Sequence, residues 1–231
     1  MKTYLEQFDN GPAGWWGWSG NAEGLKRLEM KDGSAISRSP WWIDYNHAPP
    51  GVGYIHMLFC LNTKGPPGEQ MKEVAGSNAF TNNKFPVDFT NARLTFRIKG
   101  EFEPRGANVV LLIQAAVGDT ITGWMLTGQP LRVTPDWTEQ TITAVPDEKQ
   151  WTCLGSRHDR TDYYGRTGLK QILGDVNVNI MLVAFPVNVV PMGPIEGDPH
   201  ILRPAKDYPV WMSRLPEGYI KIDTVKIEFA G

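Results

Sequence analysis

Between Trp151 and Gly165 the chain reads WTCLGSRHDRTDYYG, and nowhere else do an imidazole, two guanidiniums, two carboxylates and two phenols crowd into so few residues. His158 is an imidazole, a side chain whose ordinary pKa of about 6.5 suits proton transfer. Asp159 or Asp162 would orient it, Arg157 or Arg160 would hold a carboxylate or a developing oxyanion, and Tyr164 would be the partner acid. Neighbours in an extended loop diverge, so these side chains do not all reach one pocket. Leu154-Gly-Ser156 and Tyr164-Gly165 supply turns at both edges, and no apolar periodicity crosses the span, which leaves its side chains free to meet a ligand. The same residues also describe a solvated connection in which carboxylates brace arginines.

The second feature is aromatic. Nine tryptophans in a soluble protein serve either a core or a stacking surface. Trp41 and Trp42 follow Pro40 and precede Asp44-Tyr45-Asn46-His47, a polar, turn-rich setting that predicts an exposed platform, with Tyr45, His47 and Arg157 as polar anchors. Trp124 and Trp137 sit in or beside strands and read as structural. The four histidines, His47, His56, His158 and His200, are scattered, and Cys60 and Cys153 have no metal-ligand spacing. Both cysteines read as free thiols, with a disulfide open only in an oxidising compartment. No nucleophile elbow, phosphate-cradling glycine loop or zincin histidine pair occurs.

The elements that must position these residues are strands. Glycine (24) and proline (18) punctuate nearly every long run, and windows with helical periodicity are almost absent. Strands are predicted at 3–8, 25–30, 34–37, 54–61, 91–99, 107–116, 122–126, 129–133, 138–143, 176–185 and 218–229. Lys31-Asp-Gly33 makes a hairpin turn. Leu94, Phe96 and Ile98 face inward, and in 54–61 Ile55, Met57, Phe59 and Leu61 share one face. Ile220 and Ile222 have one parity while Val225, Ile227 and Phe229 have the other, so a bulge is expected near Asp223-Thr224. Leu169 to Leu173 reads as a helical turn. The segments of about 62–90 and 186–217 are excursions, the first either a functional flap or the holder of an unrecognised short element, the second a proline-rich run over the surface.

This pattern predicts an all-β fold, a two-sheet antiparallel jelly-roll sandwich with long irregular loops, as one domain over 1–231. With 23 basic against 25 acidic residues and a net charge of -2, neither nucleic acid nor a membrane is an expected partner. The N-terminus lacks an apolar signal core, so the expectation is a soluble protein, cytoplasmic unless a signal has been removed. Oligomeric state is not written in the sequence.

Phe8-Asp-Asn-Gly11 leading to a Gly-Trp pair, the run Asp88 to Gly100 and the closing Ile220 to Ile227 occur in the order that resembles carbohydrate-binding modules of the galactose-binding-like jelly-roll class. The resemblance implies first and last strands that are neighbours, an early tryptophan (Trp16 or Trp18) closing one end of the core, and a saccharide as ligand. It also implies a structural calcium where those strands meet, with Glu6, Asp9 and Asp223 as ligands. The chain is longer than such modules, and its Arg-His-Asp-Arg loop is not a signature of the class. Two functions follow: a saccharide-binding protein, or a small lyase, hydrolase or isomerase on the same sandwich with His158 as acid/base.

Overall fold

A computed structural model describes residues 2–18, 25–44, 54–64, 69–155, 165–189, 192–194, 206 and 214–230. In chain order the strands are β1 (Thr3–Glu6), β2 (Trp15–Trp18), β3 (Leu25–Lys26), β4 (Glu29–Lys31), β5 (Ser34–Arg38), β6 (Ile43–Asp44) and β7 (Tyr54–Asn62). Helices α1 (Glu69–Ala75) and α2 (Ala79–Asn82) precede β8 (Arg93–Glu103), β9 (Asn108–Val117), β10 (Thr120–Met125), β11 (Thr138–Thr143) and β12 (Thr152–Cys153). Helix α3 (Leu169–Gly174), β13 (Asn179–Val187) and β14 (Glu217–Glu228) complete the list. Two antiparallel sheets result. Sheet I runs β11-β8-β14-β5-β4, with β1 on β14; sheet II runs β12-β10-β9-β13-β7-β2-β3, with β6 on β7.

Alternation explains which faces meet. Leu94, Phe96 and Ile98 of β8 and Ile220, Ile222, Val225 and Ile227 of β14 are buried between the sheets. Burying each such side chain is worth about 1.5–3 kcal/mol. The parity switch in β14 is a bulge at Asp223, where the pairing to β8 shifts between Ile222 and Thr224. Before the bulge β14 pairs with β5, and after it with β1, so the first and last strands are neighbours. The hairpin turn also forms as its sequence requires, with Asp32 at φ 53° and Gly33 at φ 65°.

Three strand expectations are corrected. The run 25–30 is not one strand but two, β3 in sheet II and β4 in sheet I. In β7 the pairing to β13 slips at Leu58, so Phe59 and Leu61 join Leu58 in the inter-sheet core while Ile55, Met57 and Cys60 line the opposite face of sheet II. Residues 129–133 form no strand beyond a single bridge between Leu131 and Val109. Glutamine side chains take over the ladder there. Gln140 bonds both the N–H and the C=O of Arg132 (2.8 and 2.7 Å), and Gln129 does the same for Thr143 (2.9 and 3.0 Å).

The described part of the first excursion holds α1 and α2. The Asn78 side chain caps α2 by accepting from the Thr81 N–H (3.1 Å) and donates to the Asn62 carbonyl (2.8 Å). Phe80, fully buried, meets Tyr4 and Phe85 at ring distances of 5.3 and 5.4 Å and so closes one end of the sandwich. Most of the second excursion lies outside the described residues. Among the described residues no helix is long and apolar enough to cross a membrane.

Candidate functional site

Strand β2 contributes a tryptophan to each side of sheet II. Trp15 is buried between the sheets, whereas Trp16 and Trp18 pack on the opposite face, their rings 5.5 Å apart. Gly17 between them has no side chain, and a Cβ there would press on Leu28 and on the Leu58 carbonyl at 3.1 and 3.2 Å. That close approach brings the β4–β5 hairpin beside β2. A cleft of about 140 Å³ results, lined by Gly17, Trp18, Leu28 and Ile36 together with Arg27, Glu29, Arg38 and the buried Ser37.

The polar part of this lining is partly committed. Arg38 pairs with Glu29 at 2.8 Å with both side chains about half exposed (48% and 45%), so the pair adds little to stability. Its hydrogen bond to Arg38 holds the Glu29 carboxyl below the usual range, with Lys31 and Lys221 adding to the effect. Arg27 donates to the Glu73 carbonyl at 2.6 Å. Ser37 Oγ accepts from the Trp41 indole at 2.8 Å.

Trp18 supplies the exception. Its Nε1 is buried and has no acceptor. The indoles of Trp15, Trp16, Trp41, Trp124 and Trp151 each donate to an oxygen at 2.8–2.9 Å. A buried donor without a partner costs about 1–3 kcal/mol. Sequence reasoning assigned Trp16 and Trp18 alike to core packing. That holds for Trp16 (4% exposed), but Trp18 is only partly buried. The signal that separates them is position, because Trp18 is the last aromatic before the polar run Ser19-Gly-Asn21.

The expectation that Trp41 and Trp42 form an exposed platform is corrected. They are 2% and 4% exposed. The Trp41 ring lies between the sheets, 6.0 Å from His56 and 5.8 Å from Phe102, and Trp42 packs at 4.8 Å on Trp18. The polar neighbours that suggested exposure do not set the direction of the rings. The other ligand candidates Tyr45, His47 and Arg157, and the catalytic candidates His158, Asp159, Arg160 and Tyr164 with Asp162, lie outside the described residues.

The flanks of that loop are described. The Leu154 N–H donates to the Gly123 carbonyl (3.0 Å) and the Gly165 N–H to the Ile121 carbonyl (2.9 Å), so both ends are tied to β10. Gly123 pairs with Gln114, Gln114 with Asn179, and Asn179 with Asn62, which sets three amides in one row across sheet II. Asn62 Oδ1 accepts from the Trp16 indole, while Asn179 Oδ1 is buried without a partner. Amides of this kind bind and orient; they do not move protons at ordinary pH.

The ionisable groups within the core are inert. His56 is fully buried and its Nδ1 lies 3.1 Å from the Trp42 carbonyl; burial pulls its pKa down to about 4, so the ring is neutral. Cys60 and Cys153 are free thiols, and burial pushes both up, away from thiolate chemistry. Two of the residues expected to hold calcium already have partners in the structure. Asp223 pairs with Arg97, and Glu6 Oε1 accepts from the Gln7 and Phe8 N–H groups at 3.1 and 2.7 Å. Among the described residues no three His, Cys, Asp or Glu side chains come together to hold a metal.

No protein-family model matches the chain, and no curated protein matches it. Solved structures do resemble it along its length. The solution structure of CtCBM11, studied for dynamics and binding, is 12% identical, with 100% of this chain and 97% of that chain covered and a TM-score of 0.36. The L4b domain of human laminin alpha-2 is 9% identical, with 99% and 98% covered and a TM-score of 0.41. A structure from work on endo-acting O-glycanases, expressed by prominent members of the human gut microbiota to initiate mucin breakdown, is 12% identical, with 99% of each chain covered and a TM-score of 0.38. Likeness at this level carries no argument about activity. The fold rests on the pairing itself: the chain is a two-sheet antiparallel β-sandwich whose first and last strands are neighbours, the architecture that its resemblance to carbohydrate-binding modules implies.

Proposed function

We propose that this protein binds a saccharide in the cleft beside Trp18. The observation that carries the reading is a tryptophan forming a wall of the cleft while its own buried N–H lacks an acceptor. A sugar offers both complements, an apolar C–H face for the ring and hydroxyl oxygens for donors. Arg27, Glu29 and Arg38 add charged groups to the lining, the pattern of a mainly apolar pocket with a few convergent polar groups. Affinity electrophoresis of parent and Trp18→Ala proteins through gels carrying neutral and acidic polysaccharides tests this. Retardation of the parent that the variant loses, at equal thermal stability, supports it; retardation unchanged by the substitution sinks it.

A second reading, an enzyme with His158 as acid/base, Asp159 or Asp162 orienting it and Arg160 and Tyr164 assisting, is favoured by one observation. Leu154 and Gly165, which flank residues 156–164, are both fixed to β10 beside the amide row that includes Asn179, whose Oδ1 lacks a partner. Turnover of an oligosaccharide panel that His158→Ala abolishes would select it; a panel left unhydrolysed and unrearranged would reject it.

A further inference from the structure

Two residues of the cleft begin a cross-strand row on sheet I that passes through the buried Ile36. Glu29 and Ile36, which help to line the cleft, are cross-strand partners; Ile36 pairs with Lys221 on β14, and Lys221 pairs with Lys99 on β8. Paired residues of an antiparallel sheet present their side chains on the same face. The row therefore crosses sheet I on the side away from the core and reaches Trp137, whose ring lies 4.8 Å from the Lys99 ammonium. At about 4.8 Å per strand, from β4 to β11 it spans roughly 19 Å.

The row sets two cations opposite one another. Like charges directly opposite on neighbouring strands are destabilising, yet Lys99 and Lys221 occupy such positions on two central strands. Their ammonium groups diverge, Lys221 to 5.7 Å from the Tyr219 ring and Lys99 toward Trp137. Among the described residues neither has a carboxylate in salt-bridge range. The nearby acids Glu29 and Asp223 are taken by Arg38 and Arg97, and Glu101 accepts from the Tyr219 hydroxyl at 3.3 Å. Lys99 and Lys221 thus lie without a salt-bridged carboxylate between two aromatic side chains, Trp18 and Trp137.

Building on the saccharide reading of the cleft, we infer that the ligand is an acidic saccharide chain, seated at Trp18 and running across sheet I to Trp137, with its anionic groups held by Lys221 and Lys99. Sugar rings meet the aromatic side chains at the two ends, where the Trp137 ring also carries Arg97 at 4.8 Å, and carboxylates or sulfates meet ammonium groups between them. The carriers of that charge differ in chemistry, and the test separates them.

The full chain is run in affinity gels containing polygalacturonate (carboxylate only), heparin (sulfated) or a neutral mixed-linkage glucan, with duplex DNA as a polyanion that is not a saccharide, at two salt concentrations. We expect retardation by one or both acidic polymers, weakening with salt, and none by the glucan. Lys99→Gln with Lys221→Gln should lower that affinity by about fivefold or more. The same double variant should melt no lower than the parent, because it removes a repulsive pair, and Lys99→Arg with Lys221→Arg should keep the binding. A glucan bound as tightly as the acidic polymers, insensitive to the double variant but lost in Trp18→Ala, overturns the inference and leaves the cleft reading standing. DNA bound as tightly as the acidic saccharides overturns it in favour of a general polyanion surface. If no saccharide binds, acidic or neutral, the cleft reading itself fails and this inference falls with it.

Discussion

Replacing Trp41 with alanine separates a core tryptophan from a surface platform. The ring is 2% exposed, touches His56 and Phe102, and donates from Nε1 to Ser37 Oγ at 2.8 Å. Truncating a buried tryptophan costs about 3–5 kcal/mol, and loss of the hydrogen bond accounts for about 1 kcal/mol within that range. Against a total stability on the order of 5–15 kcal/mol, this is a large fraction. For a chain of this size each kcal/mol moves Tm by about 2–4 °C, so a fall of roughly 8–16 °C is expected from a loss of about 4 kcal/mol. Urea and thermal unfolding of the parent, Trp41→Ala and Trp41→Phe measure it. Phenylalanine keeps most of the buried area and should recover most of the loss. A Trp41→Ala protein that melts like the parent would place the ring at the surface and refute the packing argument.

Four further outcomes follow. His56, with a folded pKa near 4 against an ordinary 6.5, binds its proton more weakly in the folded state than in the unfolded one. Its contribution is therefore intact above about pH 6.5 and falls as the pH drops toward 4, by up to about 3 kcal/mol; the stability profile of His56→Gln should lack that step. Calcium at the meeting of β1 and β14 would have to take Asp223 from Arg97, so we expect the same Tm with added calcium and with chelator; a rise with calcium would restore Glu6, Asp9 and Asp223 as ligands. Gly218 has φ +118°, and a Cβ there would collide with the Glu101 carbonyl. Gly218→Ala should open the start of the β8–β14 ladder, seen as faster amide exchange at Glu101 and Tyr219. His158→Ala and Arg160→Ala should change binding or turnover far more than Tm; variants that only lower Tm would assign the loop to structure.

Period-two patterns were read correctly wherever one face of a strand is apolar and the other polar, as in β8. The β14 bulge was legible for the same reason, since its parity visibly switches at Asp223. The slip in β7 was not, because apolar residues occupy both faces and a one-residue shift leaves no trace in such a run. The 129–133 segment looked like a strand, but Pro130 withholds an N–H, and the amides of Gln129 and Gln140 replace backbone partners that composition does not reveal. Site prediction failed on tryptophan direction. Trp41 and Trp42 have polar neighbours in sequence but apolar ones in space, while Trp18 gained its cleft only through the approach of the β4–β5 hairpin over Gly17. Long-range pairing of that kind leaves no local signature.

The most direct test of saccharide binding at Trp18 is the indole N–H resonance of that residue in a ¹H–¹⁵N spectrum, assigned by its disappearance in Trp18→Phe. Titration with the saccharide that most retards the protein in affinity gels should shift this resonance and slow its hydrogen exchange, as the unpartnered donor gains an acceptor, while the indole of Trp15, already bonded to Tyr4, stays in place. A saccharide that binds while the Trp18 N–H neither shifts nor gains protection would contradict the assignment and move the ligand away from this cleft.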